Sequence, residues 1–306
     1  MSPRSVRPPR LSVVVPTYGR PERVANLLVR LDAQTLDSAE FEVIFVDDGT
    51  PEPIRVDPSA HAVDLRVLRQ PNAGPGAARN LGVEHARAPL VIFLNDDAVP
   101  ANDLLEVHVS AHAKGLEKTA VMGSFPFTRS ALNEPFTQLL AESDLLFDFP
   151  GLRDNQLHAW TFFWTCNISL PRAALLEVGG FDTRTFKEAI VEDVELGYRL
   201  EQRGWKVLYR ADARCEHEHA LTVDDYFRRA QRLGVNLARM WRKHQDARIL
   251  WRPPGTKIER EYFRGLQLKI EKYRESADRF VEMMRRLSAE MGAKGFPQEE
   301  RARLQQ

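Results

Sequence analysis

The sequence predicts an α/β protein with a mostly parallel sheet flanked by helices and a helical C-terminal extension. Short apolar runs with little polar alternation recur through the first 125 residues, and helical patterns separate them. Such strands are typical of parallel sheets whose two faces are covered by crossover helices. Beyond residue 221 the pattern is helical, with a break at the Pro-Pro-Gly of 253–255.

Each element follows from the spacing of its apolar residues. Strands are expected at 11–15, 41–46, 65–68, 90–94 and 120–123. Pro21 suits a first helical turn, and the apolar face after it comprises Val24, Leu27, Leu28 and Leu31. Further helices are expected at 77–86, 104–113, 172–178 and 193–203. Extended segments are expected at 160–170, 205–209 and 213–216.

The composition argues against several classes of protein. The 306 residues include 43 basic and 43 acidic ones, so the net charge does not favour nucleic acid as a partner. Two cysteines do not suggest a disulfide framework, which favours a reducing, cytoplasmic location. No apolar run approaches the roughly 18 residues of a membrane span. We expect residues 1–10, three arginines among three prolines, to form a disordered basic tail.

Polar segments follow four of the predicted strands. They occupy residues 16–20, 47–50, 72–80 and 95–97 and include two acidic pairs, two arginines and a glycine turn. Sheets of this type bind ligands beyond the carboxyl ends of their strands. The four segments are therefore expected to converge on one site.

Three of these segments have both a functional and a structural interpretation. Asp96-Asp97 could hold Mg²⁺ or Mn²⁺, or form a polar turn before Pro100. Asp47-Asp48 could bind a base or ribose, or serve as turn residues. Gly74-Pro75-Gly76 lacks the third glycine of a dinucleotide fingerprint, which favours a tight turn that places Arg79 near a nucleotide.

Two further groups also have both a functional and a structural interpretation. Glu192-Asp193 begins a predicted helix, where acids either stabilise the helix end or project as a general base. His217 and His219 flank Glu218 on an extended segment, so both imidazoles point to one face. Either histidine could complete a metal site begun by the aspartates, and a structural role is the alternative for both.

Taken together, these motifs resemble family-two glycosyltransferases of the GT-A fold. The resemblance covers roughly residues 11–220, and both the order and the spacing of its motifs fit. Gly19 and Asn95 depart from the residues common at those positions, asparagine and aspartate. The motifs lie at 13–20, 42–50, 72–80, 93–97, 179–182 and 192–196, with Arg199 and Gly204 downstream.

The resemblance implies a role for each matching residue. It implies a nucleotide-sugar donor, a divalent Mg²⁺ or Mn²⁺, and Asp193 as the catalytic base of an inverting reaction. The metal ligands it implies are Asp97 and His217, and Asp96 would contact the ribose. Trp164, Cys166 and Asn167 would lie where the acceptor and the donor sugar meet. The full set of implied substrate-binding residues is Pro16, Thr17, Tyr18, Arg20, Asp48, Arg79, Asp96, Trp164, Asn167 and Glu192.

The resemblance therefore implies transfer of a sugar, most readily from a uridine diphosphate, to the hydroxyl of a glycan, a lipid-linked or another acceptor. Two alternatives share the fold. A nucleotidyltransferase would need a longer triphosphate loop than 17–20, and a non-catalytic nucleotide-sugar sensor would not need to retain Asp97, Asp193 and His217 together.

We expect three regions along the chain. The tail of residues 1–10 is followed by a GT-A domain over 11–220. This domain has a donor half at about 11–125 and an acceptor half at about 126–220. A helical extension occupies 221–306. Within it, 226–252 carries eight basic residues and one acid, which suggests either a solvated helix face or peripheral contact with an anionic membrane at its cytoplasmic face.

Overall fold

The computed structural model describes residues 8–141, 146–147 and 149–250, together with 282, 283, 285, 286 and 289. The chain forms two compact units. Unit 1 contains residues 1–128 and 149–219, and unit 2 contains 129–148 and 220–306. Most of the predicted tail and the predicted break at 253–255 lie outside the described residues. The division of 11–220 into a donor half and an acceptor half stays a prediction.

Within the described residues, nine strands and seven α-helices form. The strands are β1 (Leu11–Thr17), β2 (Phe41–Asp47), β3 (Asp64–Arg69), β4 (Leu90–Leu94), β5 (Ala98–Pro100), β6 (Thr119–Ser124), β7 (Leu157–His158), β8 (Asn167–Pro171) and β9 (Lys206–His217). The helices are α1 (Pro21–Asp32), α2 (Pro75–His85), α3 (Leu104–His112), α4 (Pro135–Ala141), α5 (Arg172–Glu177), α6 (Glu192–Glu201) and α7 (Val223–His244).

The strands of unit 1 form one sheet in the order β3-β2-β1-β4-β8-β6-β9-β5, and β7 pairs with β9. β3, β2, β1 and β4 are mutually parallel, as predicted. The second part of the sheet is mixed, because β8 runs antiparallel to both β4 and β6 while β6 and β9 are parallel. The α/β fold class is confirmed, with the parallel arrangement concentrated in the first part of the chain.

Two predicted elements differ in the structure. The two short strands expected at 205–209 and 213–216 are a single strand, β9, whose register against β6 shifts between Gly123 and Ser124. The polar residues between the two predicted pieces therefore mark a bulge and not a strand end. The strand expected from residue 160 begins only at Asn167, after a short 3₁₀ turn at Trp160–Phe162.

The core of unit 1 follows the apolar pattern. β1, β2 and β4 are almost wholly buried, which matches their lack of polar alternation. Helix α1 begins at Pro21 and buries its predicted apolar face in the core of unit 1. That face comprises Val24, Leu27, Leu28 and Leu31, each at most 1% exposed.

A buried polar chain connects α3 with β8. His108, on α3, is fully buried, and its two ring nitrogens lie 2.7 Å from the Ser169 hydroxyl and 3.0 Å from the Asn167 side-chain oxygen. His112 lies 2.9 Å from the same hydroxyl. Neutral rings satisfy every partner if His112 donates to Ser169, Ser169 donates to His108 and His108 donates to Asn167. Burial lowers the pKa of His108 to about 3 and that of His112 to about 4.

Asn167, which the resemblance implies to be near the substrates, lies inside the core in this structure, and its contact with substrate stays a prediction. The residue is fully buried, and its amide donates to the carbonyls of Ser124 at 3.0 Å and Ala213 at 2.9 Å. Its oxygen is the one bound by His108. Both ends of the side chain are thus used inside the core, where Asn167 joins three strands.

Unit 2 contains α4 and α7. Thr222 caps α7 by exchanging hydrogen bonds with Asp225, which satisfies free N–H groups of the first turn. The Thr137 hydroxyl on α4 bonds both the N–H and the carbonyl of Leu221, at 2.7 and 3.0 Å. Among the described residues no helix has the length and apolarity needed to cross a bilayer.

We predict that the two buried histidines make stability depend on pH. Their native pKa values lie below the ordinary 6.5, so the unfolded chain takes up protons first as the pH falls. Stability should be full above about pH 6.5 and should fall by about 1.4 kcal/mol per pH unit for each histidine as the pH approaches 4. Urea denaturation between pH 8 and pH 5 measures this slope.

Variants separate this effect from general acid sensitivity. His112→Asn should reduce the slope of the unfolding free energy against pH below pH 6.5 by the contribution of about one proton. His85→Asn, which removes an exposed histidine, should leave the slope as in the parent. Equal slopes in all three proteins would contradict the assignment.

Candidate active site

A cavity of about 220 Å³ lies at the carboxyl ends of β1, β2 and β4. This is the edge of a parallel sheet at which ligands bind. The predicted convergence of the polar segments is therefore found. Eight of its eleven lining residues are predicted site residues: Pro16, Thr17, Tyr18, Arg20, Asp48, Arg79, Asp96 and Asp97.

Asp48 organises the glycine turn on one side of the cavity. Its carboxylate accepts hydrogen bonds from the N–H groups of Ala73 and Gly74, each at 2.9 Å, and from the Gln70 amide at 2.7 Å. Gly74 has a φ of +91°, and a Cβ there would lie 1.9 Å from the Lys187 carbonyl oxygen. Only glycine fits this turn. Since a carboxylate has about four acceptor positions, Asp48 retains one for a ligand.

Asp47 takes the purely structural role that the sequence left open for the acidic pair. It accepts hydrogen bonds from the N–H groups of Thr50 at 2.8 Å and Ile54 at 3.3 Å, and Arg69 lies 2.5 Å away. Burial alone would raise the pKa of Asp47, but these hydrogen bonds outweigh it and lower the pKa. Asp47 therefore holds the loop after β2, and Asp48 faces the cavity.

Asp96 is held by residues of the first motif. The Thr17 hydroxyl donates to one carboxylate oxygen at 2.9 Å, and Arg20 donates to the other at 3.0 Å. Burial, together with the charge of Asp97, raises the pKa of Asp96 despite Arg20. The loops after β1 and β4 are thereby fixed to each other across the cavity.

Asp97 and His217 lie together, as predicted. Asp97 Oδ2 is 3.4 Å from His217 Nε2, and the other polar atom of each side chain, Oδ1 and Nδ1, is buried with no hydrogen-bond partner among the described residues. Burial opposes ionisation of Asp97, but His217 and nearby arginines outweigh it and lower its pKa. The carboxylate is therefore kept charged.

The pair fits a divalent cation. Two ligands about 2.1 Å from one octahedral ion stand about 3.0 Å apart, close to the observed 3.4 Å. No group of three potential metal-ligating side chains occurs in the part of the chain that the structure describes. Mg²⁺ commonly takes one or two protein ligands and completes its shell with water and substrate phosphates, so two ligands suffice.

Aromatic rings fix the orientation of His217, a feature that the sequence did not reveal. Its imidazole stacks against Phe125, with centroids 4.8 Å apart and ring planes 27° apart, and against Phe127, at 5.3 Å and 23°. His219 instead places its Nδ1 3.3 Å from a guanidinium nitrogen of Arg23. The geometry thus favours His217 over His219 as the partner of Asp97.

Arg79 and Glu192 form a buried ion pair behind the cavity. Their side chains are 4% and 3% exposed and meet at 3.0 Å. Arg79 also donates to Asn95 at 3.2 Å and lies over the Phe181 ring, 5.7 Å from its centroid. Burial and the neighbouring Asp193 raise the pKa of Glu192 to about 7 despite Arg79. Glu192 does not line the cavity; it positions Arg79, which does.

Asp193 follows at the start of α6 and is partly exposed. Its carboxylate accepts hydrogen bonds from the N–H of Val194 at 2.8 Å and, weakly, from that of Thr165 at 3.3 Å. The preceding Val191 has a φ of +77°, a strained conformation for a β-branched residue. Strain of this kind concentrates at functional sites.

Trp164 precedes Thr165, whose N–H contacts Asp193, but it does not line the cavity. Its ring packs edge-on against Phe149 at 5.6 Å and tilted against Phe162 at 5.5 Å. Contact of Trp164 with an acceptor stays a prediction.

The sequence is similar to those of known glycosyltransferases. Residues 12–179 match the family model "Glycosyl transferase family 2", and 130–266 match "Glycosyl transferase family group 2". The validoxylamine A glucosyltransferase of Streptomyces hygroscopicus subsp. limoneus is 30% identical over 266 residues, which cover 77% of this chain and 57% of the relative. The succinoglycan biosynthesis protein ExoW of Rhizobium meliloti is 34% identical over half of this chain and 52% of its own. The chain thus spans little more than half the length of these curated relatives.

Solved structures share the fold. The mannosyltransferase PcManGT of Pyrobaculum calidifontis, in complex with GDP-Man and Mn²⁺, superposes with a TM-score of 0.54 at 21% identity, covering 97% of this chain and 78% of that one. Residues 1–349 of TarS from S. aureus give 0.52 at 18% identity, covering 74% and 65%. The fold is therefore of the GT-A type. Since the family model covers more than half of the sequence, the chain belongs to glycosyl transferase family 2.

Proposed function

We propose that this protein is an inverting glycosyltransferase that moves a sugar from a nucleoside diphosphate to an acceptor hydroxyl in the synthesis of a glycan or glycoconjugate. The observation that carries the proposal is the convergence of three strand-end loops and the Arg79 helix on one cavity. That cavity presents both cations and carboxylates, as a charged diphosphate and its counter-ion require.

The comparisons support a nucleotide-sugar donor. One solved relative is described with GDP-Man and Mn²⁺, and TarS is described with UDP, at a TM-score of 0.50 and 18% identity. We favour a uridine diphosphate sugar for this chain. In this proposal the nucleoside diphosphate is held by Asp48, which has one acceptor position left, and by Arg20 and Arg79.

Asp97 and His217 would hold Mg²⁺ or Mn²⁺. When bound, that ion neutralises charge on the departing diphosphate. Arg20 adds positive charge at the same place, 3.6 Å from Asp97. In this proposal the residues of β1 and β4 bind and orient the donor. A different carboxylate accepts the proton of the acceptor hydroxyl.

Asp193 is proposed as the general base. An acceptor hydroxyl must lose its proton as it attacks the anomeric carbon, and a positioned carboxylate can accept it. Asp193 is partly exposed, whereas Glu192 is buried and paired with Arg79. A single displacement with Asp193 as base inverts the anomeric centre.

We predict that Asp193→Asn lowers turnover by about 10²- to 10⁴-fold at saturating substrates, the usual contribution of a general base. UDP affinity should remain near that of the parent, because other residues hold the nucleotide. Turnover with the cognate donor and calorimetric titration with UDP measure the two quantities. Glu106→Gln, at the first turn of α3, is a matched control that should keep full turnover.

Near-parental turnover of Asp193→Asn would refute its role as base. Asparagine keeps a side-chain oxygen that can accept from the Val194 N–H, so a purely structural Asp193 would tolerate the change. NMR of the product gives an independent check, since retained anomeric configuration would contradict single displacement.

We predict that Asp97→Asn abolishes transfer and weakens binding of the donor, and that EDTA has the same effect on the parent protein. Both changes deprive the diphosphate of its counter-ion. Donor hydrolysis and transfer, each assayed with and without Mn²⁺, measure the effect. Full activity in EDTA would disprove the metal assignment, and pyrophosphate release from a nucleoside triphosphate would point instead to a nucleotidyltransferase.

We further propose that α7 makes peripheral contact with an anionic membrane at its cytoplasmic face. The helix carries exposed Arg232, Arg239 and Arg242, and Leu233 is 41% exposed. Cations beside an exposed apolar side chain are typical of helices that lie at a lipid interface. A solvated basic face is the alternative.

Co-sedimentation with vesicles tests this contact. Binding to anionic vesicles at low salt should exceed binding to zwitterionic ones, and Arg239→Gln with Arg242→Gln should weaken it by roughly 30-fold, at about 1 kcal/mol per basic residue. Arg30→Gln, an exposed change on α1, is the control. No sedimentation with anionic vesicles at low salt would exclude the contact.

A further inference from the structure

The guanidinium groups of Arg23 and Arg20 lie beside the carboxylate of Asp97, in addition to His217. The Oδ2 atom of Asp97 lies 3.1 Å from Arg23 Nη1, 3.4 Å from His217 Nε2 and 3.6 Å from Arg20 Nη1. A divalent cation at this carboxylate would have to share it with two guanidinium groups. The site is therefore crowded with cations before any metal enters.

Arg23 is the least satisfied of these cations. Its Nη1 is buried, and although it stands close to Asp97, the contact is too poorly aligned to be a hydrogen bond; this nitrogen has no hydrogen-bond partner among the described residues. Its Nη2 lies 3.3 Å from His219 Nδ1, its one hydrogen-bond partner in the part of the chain that the structure describes. Arg20, by contrast, makes an aligned 3.0 Å bond to Asp96.

A buried N–H without an acceptor costs free energy until an acceptor arrives. Phosphate oxygens are strong acceptors for guanidinium groups. The charges in the site also change when a nucleoside diphosphate enters, because its negative charge can neutralise a guanidinium and a divalent ion together. Without the diphosphate, the same ion and Arg23 compete for one carboxylate.

We propose that Arg23 acts as the counter-ion of Asp97 in the donor-free enzyme and turns to the diphosphate when donor and metal bind. Arg23 is then a positioning residue that suppresses binding of the metal alone and couples it to binding of the nucleotide. The proposal rests on the proposed function, since it requires a diphosphate and a metal at this cavity. Neither the sequence motifs nor the cavity lining includes Arg23.

The test is Mn²⁺ binding, followed by the electron paramagnetic resonance signal of free Mn²⁺, with and without UDP. Arg23→Gln removes the charge, Arg23→Lys keeps it, and Arg30→Gln removes a charge from the exposed end of the same helix. Asp97→Asn locates the bound ion.

Without UDP, Arg23→Gln should bind Mn²⁺ about 5- to 150-fold more tightly than the parent, the usual range for coupled sites. The gain in Mn²⁺ affinity on adding UDP should shrink by the same factor, because the competition that UDP relieves in the parent is already absent from this variant. By reciprocity, Mn²⁺ should raise the affinity for UDP correspondingly less. Arg23→Lys and Arg30→Gln should resemble the parent.

Two outcomes would overturn the proposal in distinguishable ways. If Arg23→Gln binds Mn²⁺ no more tightly than Arg30→Gln while Asp97→Asn abolishes binding, the metal site stands and the role of Arg23 is refuted. If Asp97→Asn binds Mn²⁺ like the parent, the ion lies elsewhere, and the metal assignment in the proposed function fails together with the role of Arg23.

Discussion

The buried ion pair of Arg79 and Glu192 is the contact on which the site depends. It joins residues 113 positions apart, on α2 and at the start of α6. Buried charges are stable only when paired and hydrogen-bonded, so each residue fixes the position of the other. Arg79 extends this constraint to Asn95, beside the acidic pair of β4. The loop that carries the two aspartates and the helix that carries Asp193 are therefore located by one guanidinium.

Several motif residues support this contact without facing a ligand. Asn80, the residue after Arg79 on α2, exchanges two hydrogen bonds with the backbone of Phe181, at 2.8 and 2.9 Å. A Cβ on Gly180 would lie 2.4 Å from the Asn80 oxygen, so glycine is required there. Arg199 donates to the carbonyls of Val178 and Gly180, each at 2.6 Å. These residues hold the loop that follows α5 against α2 and α6.

The sequence predicted the fold and the cavity because both follow from local rules. Unbroken apolar runs identify buried parallel strands, and their carboxyl ends locate Asp48, Asp96 and Asp97. It could not predict what depends on contacts distant along the chain. Phe125 looks like any core aromatic until its ring is seen against His217. The resemblance implied a ligand contact for Asn167, and only the structure shows that buried His108 and backbone carbonyls bond its side chain.

The left-handed backbone of Val191 has a consequence for how Asp193, the proposed base, is held. Unfavourable backbone conformations of this kind cost about 1 to 3 kcal/mol and persist only where the surrounding structure over-determines them. A glycine would adopt the same φ without strain, but it would also give the chain before Asp193 more conformations. The molecule thus forgoes some folding stability at one residue, and the range of directions open to the carboxylate is correspondingly narrow.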